Sequence, residues 1–129
     1  MRIHRDTTYL DPADRGAMVA IGNFDGVHLG HQAVLRQAAS VTGAPLGVVT
    51  FEPHPREILI PDAPPFRLMN AEARSHRLAK LGVIHLYELP FNAALMALSP
   101  EDFARDILGE RLGLAHVTVG QDFRFGRNR

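Results

Sequence analysis

Two histidines and three glycines lie within ten residues of one another near the start of the chain. The segment from Gly22 to His31 reads Gly-Asn-Phe-Asp-Gly-Val-His-Leu-Gly-His. An apolar run typical of a short buried strand, 18–21, precedes it, and a stretch typical of a helix, 32–39, follows it. Backbone N–H groups are unpaired at a helix N-terminus, and the helix dipole favours negative charge there. The segment therefore predicts a phosphate site.

The spacing of His28 and His31 makes them candidate catalytic residues. If the helix begins near Leu29 or Gly30, the two imidazoles lie about one turn apart and share one side of the helix. The segment is neither a Walker A loop nor the Gly-x-Gly-x-x-Gly dinucleotide fingerprint. Zinc is the alternative ligand, but the chain has no cysteine, and Asp25 is the one acidic residue nearby. We predict a polyphosphate clamp and no metal-binding residues.

A second candidate segment, Thr50 to Pro55, reads Thr-Phe-Glu-Pro-His-Pro. It closes an apolar, β-branched run over 46–51 that predicts a buried parallel strand. Five of the nine prolines fall between Pro53 and Pro65, which excludes a helix interior or a central strand. A rigid loop after a buried strand is a common place for ligand contacts in α/β proteins. An ordinary proline-stiffened connector is the alternative.

A third candidate segment, Gly120 to Gly126, follows a strand predicted over 115–119. The stretch that continues to Arg129 interleaves three arginines (Arg124, Arg127 and Arg129) with Phe123 and Phe125, and it could bind nucleic acid by stacking and phosphate contact. However, 14 basic residues balance 14 acidic ones, which disfavours a nucleic-acid partner.

The rest of the chain alternates strands and helices. We expect a helix capped by Asn70 to end near Leu81 and to expose Arg74, Arg77 and Lys80 to solvent. We also expect a strand near Ile3, and a strand over 83–86 in which His85 packs or finds a backbone partner. A short helix over 92–98 should follow, and then a helix that begins at Ser99 with Phe103, Ile107 and Leu108 on its core face.

This alternation predicts a Rossmann-like, three-layer α/β fold around a parallel sheet. All three candidate segments follow strands, so they should share the carboxyl edge of the sheet, where such proteins bind ligands. The absence of cysteine argues against a disulfide framework. No apolar run reaches membrane-spanning length and no signal peptide is visible, so we expect a cytoplasmic protein without a membrane partner.

The three segments resemble motifs of the bacterial FAD synthetases, which join riboflavin kinase to FMN adenylyltransferase within the nucleotidyltransferase superfamily. The family motifs are Gly-x-Phe-Asp-Gly-x-His-x-Gly-His, Thr-Phe-Asp/Glu-Pro-His-Pro and Gly-x-Asp/Asn-Phe-x-Phe-Gly. The resemblance implies transfer of AMP from ATP to FMN, with Mg²⁺ on the ATP phosphates, to give FAD and pyrophosphate.

The resemblance also implies roles for individual residues. His28 and His31 would contact the triphosphate and the charge that develops in the transition state. The implied ligand-binding set comprises Gly22, Asn23, Phe24, Asp25 and Gly30 on the nucleotide side, and Pro53, His54, Pro55, Asp122 and Phe125 on the flavin side. Several relatives carry Asn at the position of Asp122. The resemblance therefore implies a hydrogen-bonding role for Asp122 and not one that depends on its charge.

The family pattern continues beyond the motifs present here, to an Ile-Ser-Ser-Thr-x-x-Arg motif and then a riboflavin kinase domain. We therefore expect residues 1–129 to be an apparently truncated FMN adenylyltransferase domain, without its C-terminal part or the kinase domain. FAD synthesis by this segment alone is expected to be negligible. Two alternatives stay open: a nucleotidyltransferase with another phosphorylated acceptor, and a non-catalytic nucleotide- or flavin-binding module. The sequence does not specify an oligomeric state.

Overall fold

A single five-stranded sheet forms the centre of the molecule. The computed structural model describes residues 1–5, 9–22, 32, 35–36, 44–52 and 70–119. The strands are β1 (Arg2–His4), β2 (Met18–Ile21), β3 (Leu46–Glu52), β4 (His85–Pro90) and β5 (His116–Val119). They lie in the order β1-β4-β3-β2-β5, and every neighbouring pair is parallel. The predicted parallel α/β class is confirmed.

Two of the described helices begin after the predicted capping residues Asn70 and Ser99, and a third begins after Asn92. They are a 3-10 turn (Pro12–Asp14), α1 (Ala71–Lys80), α2 (Ala93–Met96) and α3 (Pro100–Asp102), which continues as a π-helix (Phe103–Arg111). The side chains of Asn70, Asn92 and Ser99 each accept a hydrogen bond from the backbone N–H three residues later, at 2.8, 2.9 and 3.1 Å. Among the described residues, no helix is long and apolar enough to cross a membrane.

Apolar side chains cover both faces of the sheet and so create three layers. On one face, the odd-numbered residues of β2 (Val19 and Ile21) lie in one apolar cluster with Phe51 and Leu89. Phe103 and Ile107 of the π-helix belong to the same cluster. The other face packs even-numbered β2 positions against Leu78 of α1 and against Leu35, which is helical like Gln32 and Arg36. A parallel sheet buried on both faces explains why its central strands read as continuous apolar runs.

One strand differs from its predicted bounds. The sequence predicted a strand over 83–86, whereas β4 runs from His85 to Pro90. A charge at Glu88 interrupts the apolar pattern, yet this residue is buried in the sheet and paired with two arginines. The ion pairs allow the strand to continue through a position that, without partners, would be costly to bury.

Candidate functional site

Three strand ends form the candidate site. The strands β3, β2 and β5 are neighbours, and in parallel alignment their last residues are Glu52, Ile21 and Val119. Ile21 lies opposite Val49 on one side and opposite Val119 on the other. The first and third motif segments begin directly after β2 and β5, and the second includes the last three residues of β3, so the three segments start at one edge of the sheet, as predicted.

The strand order also contains a topological switch point between β2 and β5. The chain proceeds from β2 through β3 to β4 on one side, and then returns to place β5 on the other side. In open α/β sheets, the crevice outside the carboxyl ends at such a reversal is the usual ligand site. The first and third motif segments start on the two strands that flank this point.

Gly22 is the predicted site residue that the structure describes. Its backbone N–H donates to the carbonyl oxygen of Val49 at 3.0 Å, which extends the β2–β3 pairing by one residue. Because that N–H is used within the sheet, it is not a donor for a phosphate.

The other predicted site residues lie outside the described residues, so their placement remains a prediction. They are Asn23, Phe24, Asp25, His28, Gly30, His31, Pro53, His54, Pro55, Asp122 and Phe125. Within the described ranges, no group of three or more His, Asp or Glu side chains is arranged to hold a metal ion.

Four charged side chains form what we call the edge charge network: Arg5, Glu52, Arg74 and Glu88. Arg74 Nη2 lies 2.9 Å from Glu52 Oε2 and 3.3 Å from Glu88 Oε2. Arg5 Nε donates to Glu88 Oε1 at 3.1 Å. The side chain of Arg74 is 0% exposed and that of Glu88 is 4% exposed, whereas that of Glu52 is 31% exposed. The side chain of Arg5 is 72% exposed, so Arg5 and Glu52 are the members that reach solvent, and Glu52 is the one that ends β3.

The prediction that Arg74 belongs to a solvated helix face is wrong. Arg77 and Lys80 are exposed as predicted, but Arg74 is completely buried. The physical reason is its position four residues before Leu78, which puts both side chains on the side of α1 that packs on the sheet. Two signals were present in the sequence: this spacing, and an acidic residue at 88 in a buried strand that requires a cation.

A second polar group, which we call the ring cluster, lies on the opposite face of the β1–β4 pair and consists of His4, His85 and Tyr87. His4 Nε2 lies 3.2 Å from His85 Nδ1, and the His4 and Tyr87 ring centroids are 4.9 Å apart. The expectation that His85 packs is therefore confirmed, with a side chain as its partner.

Burial dominates the electrostatics of the ring cluster. It lowers the pKa of His85 below the ordinary histidine value, while the Asp14 carboxylate acts in the opposite direction and Arg2 adds to the lowering. Burial, assisted by Asp14, raises the pKa of Tyr87 to about 12. At neutral pH this environment favours the uncharged forms of His85 and Tyr87.

Comparison with known proteins identifies the family. A family model described as FAD synthetase matches residues 10–129. The chain is 43% identical over its whole length to a bifunctional riboflavin kinase/FMN adenylyltransferase of Pseudomonas fluorescens, and 37% identical over 88% of its length to one of Escherichia coli K12. A Listeria monocytogenes FAD synthetase is 35% identical over the whole chain.

The chain spans 42%, 37% and 53% of these three relatives, respectively. A solved structure, described as a macrolide-efflux protein from Streptococcus pneumoniae, superposes with a TM-score of 0.80 at 28% identity. The match covers 98% of this chain and 51% of that one. The family match over nearly the whole chain, together with the three motifs on adjacent strand ends, shows that this chain belongs to the FAD synthetase family.

Proposed function

We propose that the chain takes part in transfer of AMP from ATP to FMN, giving FAD and pyrophosphate in flavin cofactor biosynthesis. The observation that carries the proposal is the convergence of the three motif segments on the ends of β3, β2 and β5, around the switch point. Relatives named FMN adenylyltransferase and FAD synthetase support the same reaction.

In the proposed reaction, an oxygen of the FMN phosphate forms a bond to the α-phosphorus of ATP. The bond between that phosphorus and the bridging oxygen breaks, and its electron pair leaves with pyrophosphate. ATP enters as its Mg²⁺ complex, so the metal is part of the substrate. Such a displacement depends on positioning and on stabilisation of developing charge, the role we propose for His28 and His31.

The strand order supports a division of the proposed site. The segment proposed to hold the nucleotide phosphates follows β2, which lies between β3 and β5. The two segments proposed to contact flavin follow β3 and β5, one on each side. We propose that Gly22, Asn23, Phe24, Asp25 and Gly30 shape the nucleotide side, while Pro53, His54, Pro55, Asp122 and Phe125 contact the flavin.

We propose that residues 1–129 belong to one adenylyltransferase domain that works in the cytoplasm. Pairing of β1 with β4 and of β5 with β2 supports a single domain, because it joins both ends of the described chain to one sheet. Cell fractionation with an antibody to this chain tests the location.

The reaction is tested by incubating the protein, as encoded by its gene, with FMN, ATP and Mg²⁺. We expect FAD and pyrophosphate in equal amounts. His31→Ala should lower turnover by roughly 10²–10³, the usual loss for one preorganised transition-state donor. His76→Ala is the matched control, because His76 is exposed on α1.

Two other outcomes would replace the proposal. Pyrophosphate release with a phosphopantetheine or nicotinate nucleotide acceptor, but not with FMN, would indicate a different nucleotidyltransferase. Nucleotide or flavin binding without any pyrophosphate release would indicate a binding module.

A further inference from the structure

We propose that Arg74 is a positioning residue for flavin binding: it holds the Glu52 carboxylate, and through Glu52 it fixes the start of the Pro53–Pro55 segment. This inference rests on the proposed function, because that segment is proposed to contact FMN. It concerns a residue that lies on a helix, outside all three motif segments.

Arg74 is itself held rigidly. Its backbone N–H donates to the carbonyl oxygen of Asn70 at 3.0 Å, in a helix turn that the Asn70 side chain caps. Its guanidinium contacts Glu88 in β4 and Glu52 in β3, so one side chain joins α1 to two neighbouring strands. A buried, doubly paired arginine has little freedom to move.

The two carboxylates that contact Arg74 differ in their surroundings. Glu88 is almost completely buried and is shared between Arg5 and Arg74, so it balances charge in the interior. Glu52 is partly exposed and is the last residue of β3. Both carboxylates help to balance the charge of Arg74, and the contact with Glu52 also connects the buried cation to the strand end that precedes the proline segment.

Backbone hydrogen bonds are scarce at this strand end. Pro53 and Pro55 have no N–H to donate, and Pro90, which lies opposite Glu52 in β4, has none either. Glu52 itself is restricted to extended conformations because a proline follows it. The side-chain contact of Glu52 with Arg74 therefore adds a fixed point where prolines reduce the number of backbone donors, and preorganisation of a binding loop increases affinity.

The test compares the wild-type protein, as encoded, with Arg74→Met and with Arg77→Met. Arg77 is the matched control, because it is an exposed arginine on the same helix. FMN affinity is measured by quenching of flavin fluorescence, and ATP affinity by calorimetry. For Arg74→Met we expect FMN affinity to fall about tenfold with ATP affinity nearly unchanged, as for release of one preorganised contact region. Arg74→Lys, which keeps the cation, should restore part of the loss.

Glu52→Gln is a second test of the inference, and it leaves the buried ion pair between Arg74 and Glu88 intact. Arg74 keeps its contact with Glu88, so folding should be preserved, while the charged contact at the strand end is lost. If Arg74 acts through Glu52, the double variant Arg74→Met/Glu52→Gln should bind FMN no more weakly than the weaker single variant.

Several results would overturn the inference. Equal losses of FMN and ATP affinity would indicate a purely structural arginine, as would additive losses in the double variant. If Arg74→Met fails to fold, an FMN affinity of Glu52→Gln equal to that of the wild-type protein is sufficient to reject the inference. Absence of FMN binding by the wild-type protein would instead reject the proposed function and, with it, this inference.

Discussion

The two faces of strand β4 bury polar groups in different ways. Successive residues of a strand point to opposite faces, so Glu88 joins the edge charge network on one face while Tyr87 joins the ring cluster on the other. In the network, opposite charges compensate one another. In the ring cluster, burial favours the neutral forms of His85 and Tyr87. The Tyr87 hydroxyl has no hydrogen-bond partner among the described residues.

The edge charge network and the ring cluster also lie at different positions along β4. His85 begins the strand, whereas Glu88 lies near its carboxyl end, where Glu52 ends the neighbouring strand. The network therefore lies near the edge that carries the motifs, whereas the ring cluster starts at the opposite end of β4. Four substitutions test how much the polar groups on each face of β4 contribute to the stability of the fold.

The largest effect is expected for Glu88→Ala. It leaves Arg5 and the buried Arg74 without their shared carboxylate, and breaking a buried pair from one side costs about 3–5 kcal/mol in the free energy of unfolding. Urea unfolding measures the loss. Glu72→Ala, at an exposed position of α1, is the control and should change little. A loss as small as the control's would mean that the remaining contact with Glu52 is enough to stabilise Arg74.

Gly47→Ala should have the next largest effect, because the ring cluster is packed tightly against β3. A Cβ at position 47 would lie 3.0 Å from Val19 Cγ1, 3.1 Å from Tyr87 Cε2 and 3.2 Å from the backbone oxygen of His85. Overpacking of this kind costs about 1–3 kcal/mol. Thermal unfolding provides the measurement.

Gly109→Ala is the comparison for that substitution, since its nearest contact would be an ordinary 3.4 Å. If both variants unfold at the same temperature, the packing at Gly47 is looser than these distances indicate.

Titration of His85 at acidic pH is expected to have a smaller effect on the free energy of unfolding. Its pKa in the folded protein is lowered, so between that pKa and 6.5 the unfolded chain binds more protons than the folded one. The free energy of unfolding should therefore decrease as the pH falls below 6.5, by at most about 1.4 kcal/mol per pH unit, and the decrease should end below the folded pKa. Unfolding curves between pH 5 and pH 8 measure it.

His85→Gln should flatten this pH dependence, and His76→Gln, at an exposed position, should leave it unchanged. An unchanged slope in His85→Gln would assign the titration to another group.

The smallest effect is expected for Tyr87→Phe. The substitution removes a buried hydroxyl that has no partner within the described residues and keeps the ring contacts with His4. Deleting an unsatisfied polar atom is nearly neutral or slightly stabilising. Calorimetric unfolding should give a melting temperature equal to or above that of the wild-type protein. A clear decrease would show that the hydroxyl is hydrogen-bonded in the protein.

Local signals in the sequence predicted most of the described elements. Asn70 and Ser99 marked helix starts because a side-chain oxygen can accept a backbone N–H, a requirement that needs no tertiary contact. Short β-branched runs marked β2 and β3 because strands buried on both faces must be apolar. The bounds of β4 were missed because Glu88 breaks that pattern, and its partners are distant in sequence.

The sequence by itself determined the three motif segments, the alternation of strands and helices, and the expectation that these segments meet at one edge. Only the tertiary structure decided the strand order, which flanks the first motif with the other two, and the burial of Arg74. Local rules describe contacts within a few residues, whereas Arg74 contacts residues 14 and 22 positions away. Whether a charge faces water or a carboxylate therefore depends on how the helix packs on the sheet.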